Sequence, residues 1–193
     1  YIAQDDRTGE RVAIKEYYPT EFAGRSSASA ALQVHSEEHQ ENYDYGKTLF
    51  LEEAKTLAEF IGDEHIVRIY RYFEENNTAY FVMEYIDGLS LDKYMAGHGG
   101  RLGIEEAADL LLPLMASLCL VHQKGIVHRD IAPDNILVEK VGGVGRARAK
   151  LIDCGAARYS TGEKSKSLDV VVKHGFAPRE QYARHGRQGP YTD

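Results

Sequence analysis

Several features that narrow a protein's class are scarce here, because the 193 residues include only two cysteines, five prolines and no tryptophan. Cys119 and Cys154 are far apart and form no C-x-x-C pair, so we expect both to be reduced and the protein to be cytoplasmic. No apolar run approaches the roughly 18 residues of a membrane span, and no signal peptide is recognisable. Basic residues are outnumbered, 23 against 30 acidic ones, and the net charge of −7 disfavours nucleic acid as the main partner.

A hydrophobic content of 43% is sufficient for a sizeable core. The most informative stretch within this composition is 128–138, where a polar loop with the sequence His-Arg-Asp-Ile-Ala-Pro-Asp-Asn lies between two short apolar runs. Such runs are typical of buried strands, and a loop held at strand ends is a frequent location of catalytic groups.

A second signal, Lys-Leu-Ile-Asp-Cys-Gly, follows at 150–155. If 136–138 and 149–152 pair as an antiparallel hairpin, Asn135 opens the first strand and Asp153 closes the second. Their oxygens then face one point, with Asp130 nearby, which predicts a hard-cation site beside a carboxylate base. The alternative is a polar loop in which these side chains only cap turns.

The pattern H-R-D-x-x-x-x-N followed by D-x-G resembles the catalytic core of eukaryotic-type (Hanks-type) protein kinases, most closely those of bacterial serine/threonine kinases. The resemblance implies an α+β, two-lobed kinase-like fold: a small antiparallel sheet with one main helix, and a mainly helical, incomplete large lobe. We place the lobes at 1–86 and 87–193, with the catalytic loop at 128–135 and the activation segment at 153–180.

Residues 1–17 are predicted to form a β-hairpin in which Ala13 and Lys15 share a face. Lys15 ends a Val-Ala-Ile-Lys string similar to the kinase strand whose lysine holds nucleotide phosphates. A helix is predicted over 46–61, with Phe50, Ala54, Leu57 and Ile61 on its inner face and Glu53 among them. A buried carboxylate needs a cation, so we expect a Lys15–Glu53 pair, the alternatives being a solvated lysine and a boundary glutamate.

Two further strands are predicted at 66–73 and 78–86, joined at Asn76-Asn77 and completing the small sheet. By resemblance, the backbone of Glu84, Tyr85 and Ile86 binds adenine and Met83 stands behind it. Residues assigned to the nucleotide site in the same way are Ala13, Lys15, Met83, Glu84, Ile86, Leu137 and Asp153.

Residues 20–45 are expected to be an irregular loop with some helical turns. Within them, 35–39 fits the H-x-x-E-H pattern of inverted zinc metalloproteases, in which His35 and His39 would share a helix face. The flanking residues lack the apolar stripe that would bury such a helix, which favours a solvated insert.

Further helices are predicted at 91–95, capped by Ser90, and at 104–123, where an apolar run around Pro113 indicates a buried and kinked helix. The segment 153–180 is long and polar, and its end, Pro-Arg-Glu, resembles the A-P-E terminus of an activation segment, with Glu180 in the glutamate position. The hydroxyl residues Ser160, Thr161, Ser165 and Ser167 are candidate phosphate acceptors.

The resemblance thus implies an ATP-dependent protein serine/threonine kinase that uses Mg²⁺. Asp130 would be the base, Lys15 with Glu53 would hold the nucleotide, and Asn135 and Asp153 would bind the metal. We expect a fragment, because no glycine-rich loop precedes Tyr1 and the chain stops within the large lobe.

Two positions depart from the pattern: Ala132 replaces a lysine that lies near the γ-phosphate, and Cys154 replaces a phenylalanine. These departures favour one alternative, a nucleotide-binding pseudokinase that regulates a partner. A small-molecule phosphotransferase that shares the kinase core is a second alternative, against which the activation segment ending at Glu180 favours a protein substrate.

Overall fold

The computed structural model describes residues 1–141, 146–153, 158–159, 173, 175–183 and 186–193. They fold as two compact units, Tyr1–Gly62 with Arg68–Tyr85, and Asp63–Val67 with Ile86–Asp193. The boundary expected after residue 86 differs from this division in two places, because Asp63–Val67 and Ile86 belong to the second unit. Cys154 and the four candidate phosphate acceptors lie outside the described residues.

The first unit is built on a four-stranded antiparallel sheet, as predicted. Its elements are β1 (Ile2–Gln4), β2 (Arg11–Glu16), β3 (Ala23–Arg25), β4 (Leu32–Val34), α1 (Glu37–Ala58), β5 (Ile69–Glu75) and β6 (Thr78–Glu84). The strand order in the sheet is β1-β2-β6-β5. Asn76 and Asn77, with φ of 53° and 54°, form the tight turn between β5 and β6, where asparagine tolerates the left-handed conformation.

The expectation of an irregular loop over 20–45 is wrong, although the helical turns expected within it are present. This region contains the antiparallel β3–β4 hairpin and the first turns of α1, which begins at Glu37 rather than after Gly46. The physical reason is a small separate core in which Tyr43, fully buried, packs with Ala23 and Leu32. One inward-facing tyrosine is too weak a pattern to be recognised as a helix face from sequence.

The inner face of α1 is confirmed in part. Phe50, Ala54 and Leu57 are buried and Glu53 lies among them, as predicted. Ile61 is 72% exposed, contrary to the prediction, because the helix ends at Ala58.

The helical arrangement required for the zinc-protease alternative does not form. His35 precedes α1, and its Nε2 lies 3.3 Å from the carbonyl oxygen of Thr20, while His39 packs its ring against Phe22. Within the described ranges, no cluster of three or more His, Cys, Asp or Glu residues has a geometry suited to a metal ion.

The second unit combines helices with short strands. Its elements are β7 (Gly88–Ser90), α2 (Leu91–Gly97), α3 (Ile104–Gln123), β8 (Ile126–Val127), β9 (Ile136–Val141), β10 (Arg146–Leu151), β11 (Arg158–Tyr159) and α4 (Arg179–Tyr182). In the core of this unit, α3 packs against β9 and β10. The buried core residues are Leu91, Leu110, Leu114, Leu118, Ile136, Val138, Ala149 and Leu151. Ser90 precedes α2 as expected, but its side chain makes no capping hydrogen bond.

Helix α3 has the predicted bounds and includes Pro113, and the expectation that it is a buried core helix is confirmed for one face only. Leu112 and Met115 are 61% and 57% exposed, so only one face of the helix contributes to the core. Among the described residues, no helix combines the length and apolar character that crossing a bilayer requires.

Candidate active site

Lys15 and Glu53 form an ion pair in the first unit. Lys15 lies on β2 opposite Phe81 of β6, and its Nζ is 3.0 Å from Oε1 of Glu53 on α1. The glutamate side chain is only 6% exposed whereas that of the lysine is 31% exposed. Because a buried carboxylate requires a counter-charge, the pair holds the Lys15 ammonium at one position while leaving part of it accessible.

The expected nucleotide residues of the first unit also gather around β2. Ala13 pairs in register with Met83, and both line an open pocket together with Lys15. Glu84 ends β6, where its N–H donates to the carbonyl oxygen of Arg68 at 3.0 Å. In the second unit, Ile86 is buried and Leu137 is half-buried on β9.

The loop that follows β8 holds the candidate base in a constrained conformation. His128 is completely buried and Arg129 has a φ of 68°, in the left-handed region, which is unfavourable for a side chain of this size. Asp130 follows, and its side chain is 32% exposed. The carboxylate is therefore fixed by the loop backbone yet accessible to a substrate group.

Asn135 connects this loop to the β9–β10 hairpin. Its Nδ2 donates to Asp130 Oδ2 at 2.6 Å and to the Asp130 carbonyl at 2.9 Å. Its own carbonyl accepts the N–H of Ile152 at 3.1 Å, directly before Asp153. The pairing of Ile136 with Leu151 confirms the predicted hairpin, so Asn135 and Asp153 do emerge from the same end of it.

Asp193 organises the catalytic loop, although sequence reasoning did not identify it. Its Oδ2 accepts the N–H of His128 at 2.8 Å and its Oδ1 that of Arg129 at 2.6 Å. His122 Nε2 also lies 2.8 Å from Oδ2. These contacts join positions up to 71 residues apart, and no local pattern marks the aspartate.

The same environment determines the charge state of His128. Burial lowers the pKa of its imidazole below the ordinary value, although the carboxylates of Asp193, Asp153 and Asp130 act in the opposite direction. A neutral ring suits the hydrogen bond in which the Asp130 N–H donates to His128 Nδ1 at 3.3 Å. His128 is thus a structural support of the loop.

Two further residues reach the loop from beyond β11. Gln181 of α4 is buried and its Nε2 donates to the Arg129 carbonyl at 2.7 Å, whereas the sequence pattern drew attention to its neighbour Glu180. Lys173 places its Nζ 2.5 Å from Asp134 Oδ1 and 3.8 Å from Asp130 Oδ1. A cavity beside Asp130 is lined by both of these residues and by Phe176 and Pro178.

Known proteins with the same features are protein kinases. The family described as "Protein kinase domain" matches residues 7–192. Serine/threonine-protein kinase D of Synechocystis sp. is 34% identical over 141 residues, 69% of this chain and 26% of that protein. The probable serine/threonine-protein kinase pknA2 of Bifidobacterium longum is 32% identical over 172 residues, 89% of this chain and 20% of that protein.

The match to a solved structure, "PpkA-294 apo form", covers 100% of this chain and 65% of the chain in that structure, with a TM-score of 0.81 and 34% sequence identity. The chain therefore spans about a quarter or less of these curated relatives, and about two thirds of the solved domain. Sequence and structure agree on one conclusion: the chain belongs to the protein kinase domain family and has the α+β kinase fold.

Proposed function

We propose that the protein transfers the γ-phosphoryl group of Mg-ATP to a serine or threonine hydroxyl of a protein substrate. The observation that carries this proposal is the 2.6 Å hydrogen bond from Asn135 Nδ2 to Asp130 Oδ2, together with the 3.1 Å hydrogen bond from the N–H of Ile152, the residue before Asp153, to the Asn135 carbonyl. These bonds fix the half-buried Asp130 carboxylate against Asn135 and bring the backbone that leads into Asp153 to the same end of the hairpin.

The donor set fits a magnesium ion bound together with phosphates. Asn135 uses its Nδ2 to donate to Asp130, and its amide oxygen and the Asp153 carboxylate would be the metal ligands. Mg²⁺ takes one or two protein oxygens and completes its shell with phosphate and water oxygens. When bound, the ion neutralises the charge on the phosphate groups.

Each protein side chain then has a simple task. Lys15, positioned by Glu53, binds the nucleotide phosphates, and the pocket around Ala13 and Met83 receives the base. Asp130 orients the substrate hydroxyl and accepts its proton as the oxygen attacks the γ-phosphorus. Positioning and electrostatics supply most of the acceleration in this chemistry, so few reacting groups are required.

A small cavity lies beside Asp130, and the kind of acceptor that could approach the base there bears on the substrate class. It is lined by Phe176, Ala177 and Pro178 from the end of the activation segment, next to the candidate base. Its other lining residues are mostly polar or charged, among them Arg129, Lys173 and Gln181, so the cavity by itself does not distinguish a peptide from a small polar acceptor. The serine/threonine-protein kinases among the similar proteins favour a protein substrate over a small-molecule acceptor.

Phosphate transfer from γ-labelled ATP to a panel of Ser/Thr peptides tests the proposal, with Asp130→Asn as the inactive variant. We expect transfer by the unaltered protein and a loss of at least about a hundredfold in the variant, typical of a removed general base. Undiminished transfer in Asp130→Asn would refute the role of Asp130. ATP binding without any transfer by the unaltered protein would identify a pseudokinase.

A further inference from the structure

Lys173 brings a positive charge to the catalytic loop from a distant part of the chain. Its Nζ lies 2.5 Å from Asp134 Oδ1 and 3.8 Å from Asp130 Oδ1, and the lysine side chain is 31% exposed. Its backbone is held in a turn, because its carbonyl accepts the N–H groups of Phe176 and Ala177 at 3.1 and 2.9 Å. The ammonium is therefore positioned beside the candidate base but is not enclosed.

The loop itself carries no lysine or arginine beyond Arg129. From 130 to 135 its sequence is Asp-Ile-Ala-Pro-Asp-Asn, and Ala132, midway between the two aspartates, is buried. The two carboxylates make this end of the loop negative, so an incoming γ-phosphoryl group, itself anionic, is repelled. A cation close to the base offsets that repulsion where negative charge must gather during transfer.

We propose that Lys173 is a catalytic residue that contacts the γ-phosphoryl oxygens during transfer and supplies, from the activation segment, the positive charge that the loop lacks at position 132. This inference rests on the proposed function. The salt bridge to Asp134 and an arriving phosphoryl group compete for the same ammonium, while the 3.8 Å contact with Asp130 keeps it beside the base.

The step balances without any further reactant. The substrate hydroxyl oxygen forms a bond to the γ-phosphorus as the bond from that phosphorus to the β,γ-bridging oxygen breaks. The hydroxyl proton passes to Asp130, and ADP leaves with the bridging oxygen and its electron pair. Lys173 gives up no proton and stabilises the three non-bridging oxygens throughout.

The competing explanation is that Lys173 only ties down the activation segment through its shorter contact with Asp134. Asp134→Asn separates the two explanations, because it removes that salt bridge but leaves the ammonium next to Asp130. If Lys173 has only a structural role, Asp134→Asn loses as much activity as Lys173→Met. If Lys173 contacts phosphate, Asp134→Asn retains activity.

The experiment compares Lys173→Met, Lys173→Arg and Asp134→Asn with the unaltered protein in peptide phosphorylation and nucleotide binding. For Lys173→Met we expect kcat to fall about a hundredfold, as for removal of one transition-state donor, with the KM for ATP changing less than about threefold. Lys173→Arg keeps the charge and retains at least about a tenth of kcat, and Asp134→Asn stays within about threefold.

Binding provides a readout that does not depend on turnover. ADP with magnesium and aluminium fluoride imitates the phosphoryl group in transfer, so its affinity should fall at least about tenfold in Lys173→Met while that of ADP stays the same. Lys173→Met with near-normal kcat, Lys173→Arg as inactive as Lys173→Met, or Asp134→Asn as inactive as Lys173→Met each overturns the inference. Absence of transfer by the unaltered protein instead refutes the proposed function itself.

Discussion

Asp193 accepts the backbone N–H of Arg129 through its Oδ1 at 2.6 Å, at a residue whose φ is 68°. A non-glycine residue in this conformation costs on the order of 1–3 kcal/mol and persists only where its surroundings impose it. The second carboxylate oxygen binds the N–H of His128, and Gln181 holds the Arg129 carbonyl. The aspartate therefore maintains the backbone on which Asp130 stands.

Replacing Asp193 with asparagine should loosen the loop. One amide oxygen remains as an acceptor, but the NH₂ group faces the second N–H donor, and an unsatisfied buried donor costs about 1–3 kcal/mol. We expect a lower unfolding temperature and at least about a tenfold lower kcat with little change in ADP affinity. Asp109→Asn, an exposed site on α3, is the matched control. Equal stability and kcat in both variants would show that Asp193 does not support the loop.

The Lys15–Glu53 pair gives a prediction with a control one residue away. Glu53→Gln removes the charge that fixes the ammonium, so we expect kcat/KM for ATP to fall by about tenfold or more. Glu52 is exposed on the adjacent position of α1, and Glu52→Gln should leave kcat/KM unchanged. Steady-state kinetics at varied ATP concentration measures both. A similar kcat/KM for ATP in the two variants would exclude a role of the Lys15–Glu53 pair in binding or using ATP.

Gly46 lies inside α1. Helix propensity alone predicts that Gly46→Ala would raise the free energy of unfolding by roughly 1 kcal/mol. The structure predicts the opposite, because a Cβ at Gly46 would lie 2.3 Å from the Tyr17 hydroxyl oxygen. The Tyr17 ring packs between Tyr43 and Phe50, so it has little room to move. Gly46→Ala should therefore lower the free energy of unfolding by about 1–3 kcal/mol, the usual range for overpacking.

A double-mutant cycle in urea tests the cause. In the Tyr17→Phe background the nearest oxygen is gone, so Gly46→Ala should cost clearly less than in the unaltered protein. An equal cost in both backgrounds would locate the strain elsewhere.

The raised pKa of the Tyr17 phenol predicts a loss of stability at alkaline pH. Partial burial, aided by Tyr43 and Asp44, raises the pKa of its phenol from 10.0 to about 12. Between these values the unfolded chain releases the proton while the folded chain keeps it, so stability falls as the pH rises from 10 to 12 and is unaffected by this group below 10. Urea unfolding measured across this pH range should show a smaller decline in the free energy of unfolding for Tyr17→Phe than for the unaltered protein. Tyr72→Phe, at a 40% exposed site, should show the same decline in the free energy of unfolding as the unaltered protein.

Much of the site was predictable from the sequence because its parts are local. Strand alternation placed Ala13 and Lys15 on one face, and helical spacing placed Glu53 on the buried side of α1. The short span between the loop and the β9–β10 hairpin brought Asn135 close to Asp130. In each case, neighbouring positions in one element or one hairpin determine the geometry, and their spacing is visible in the printed sequence.

Tertiary structure alone decided which distant residues complete the loop. Asp193, Gln181 and Lys173 meet the loop across 39 to 65 positions, and a single aspartate, glutamine or lysine has no periodic signal. The early start of α1 depended likewise on one tyrosine that packs against a hairpin formed elsewhere in the chain. Local spacing determines which face a side chain occupies, whereas the partner on that face depends on how separate segments pack and satisfy buried polar groups.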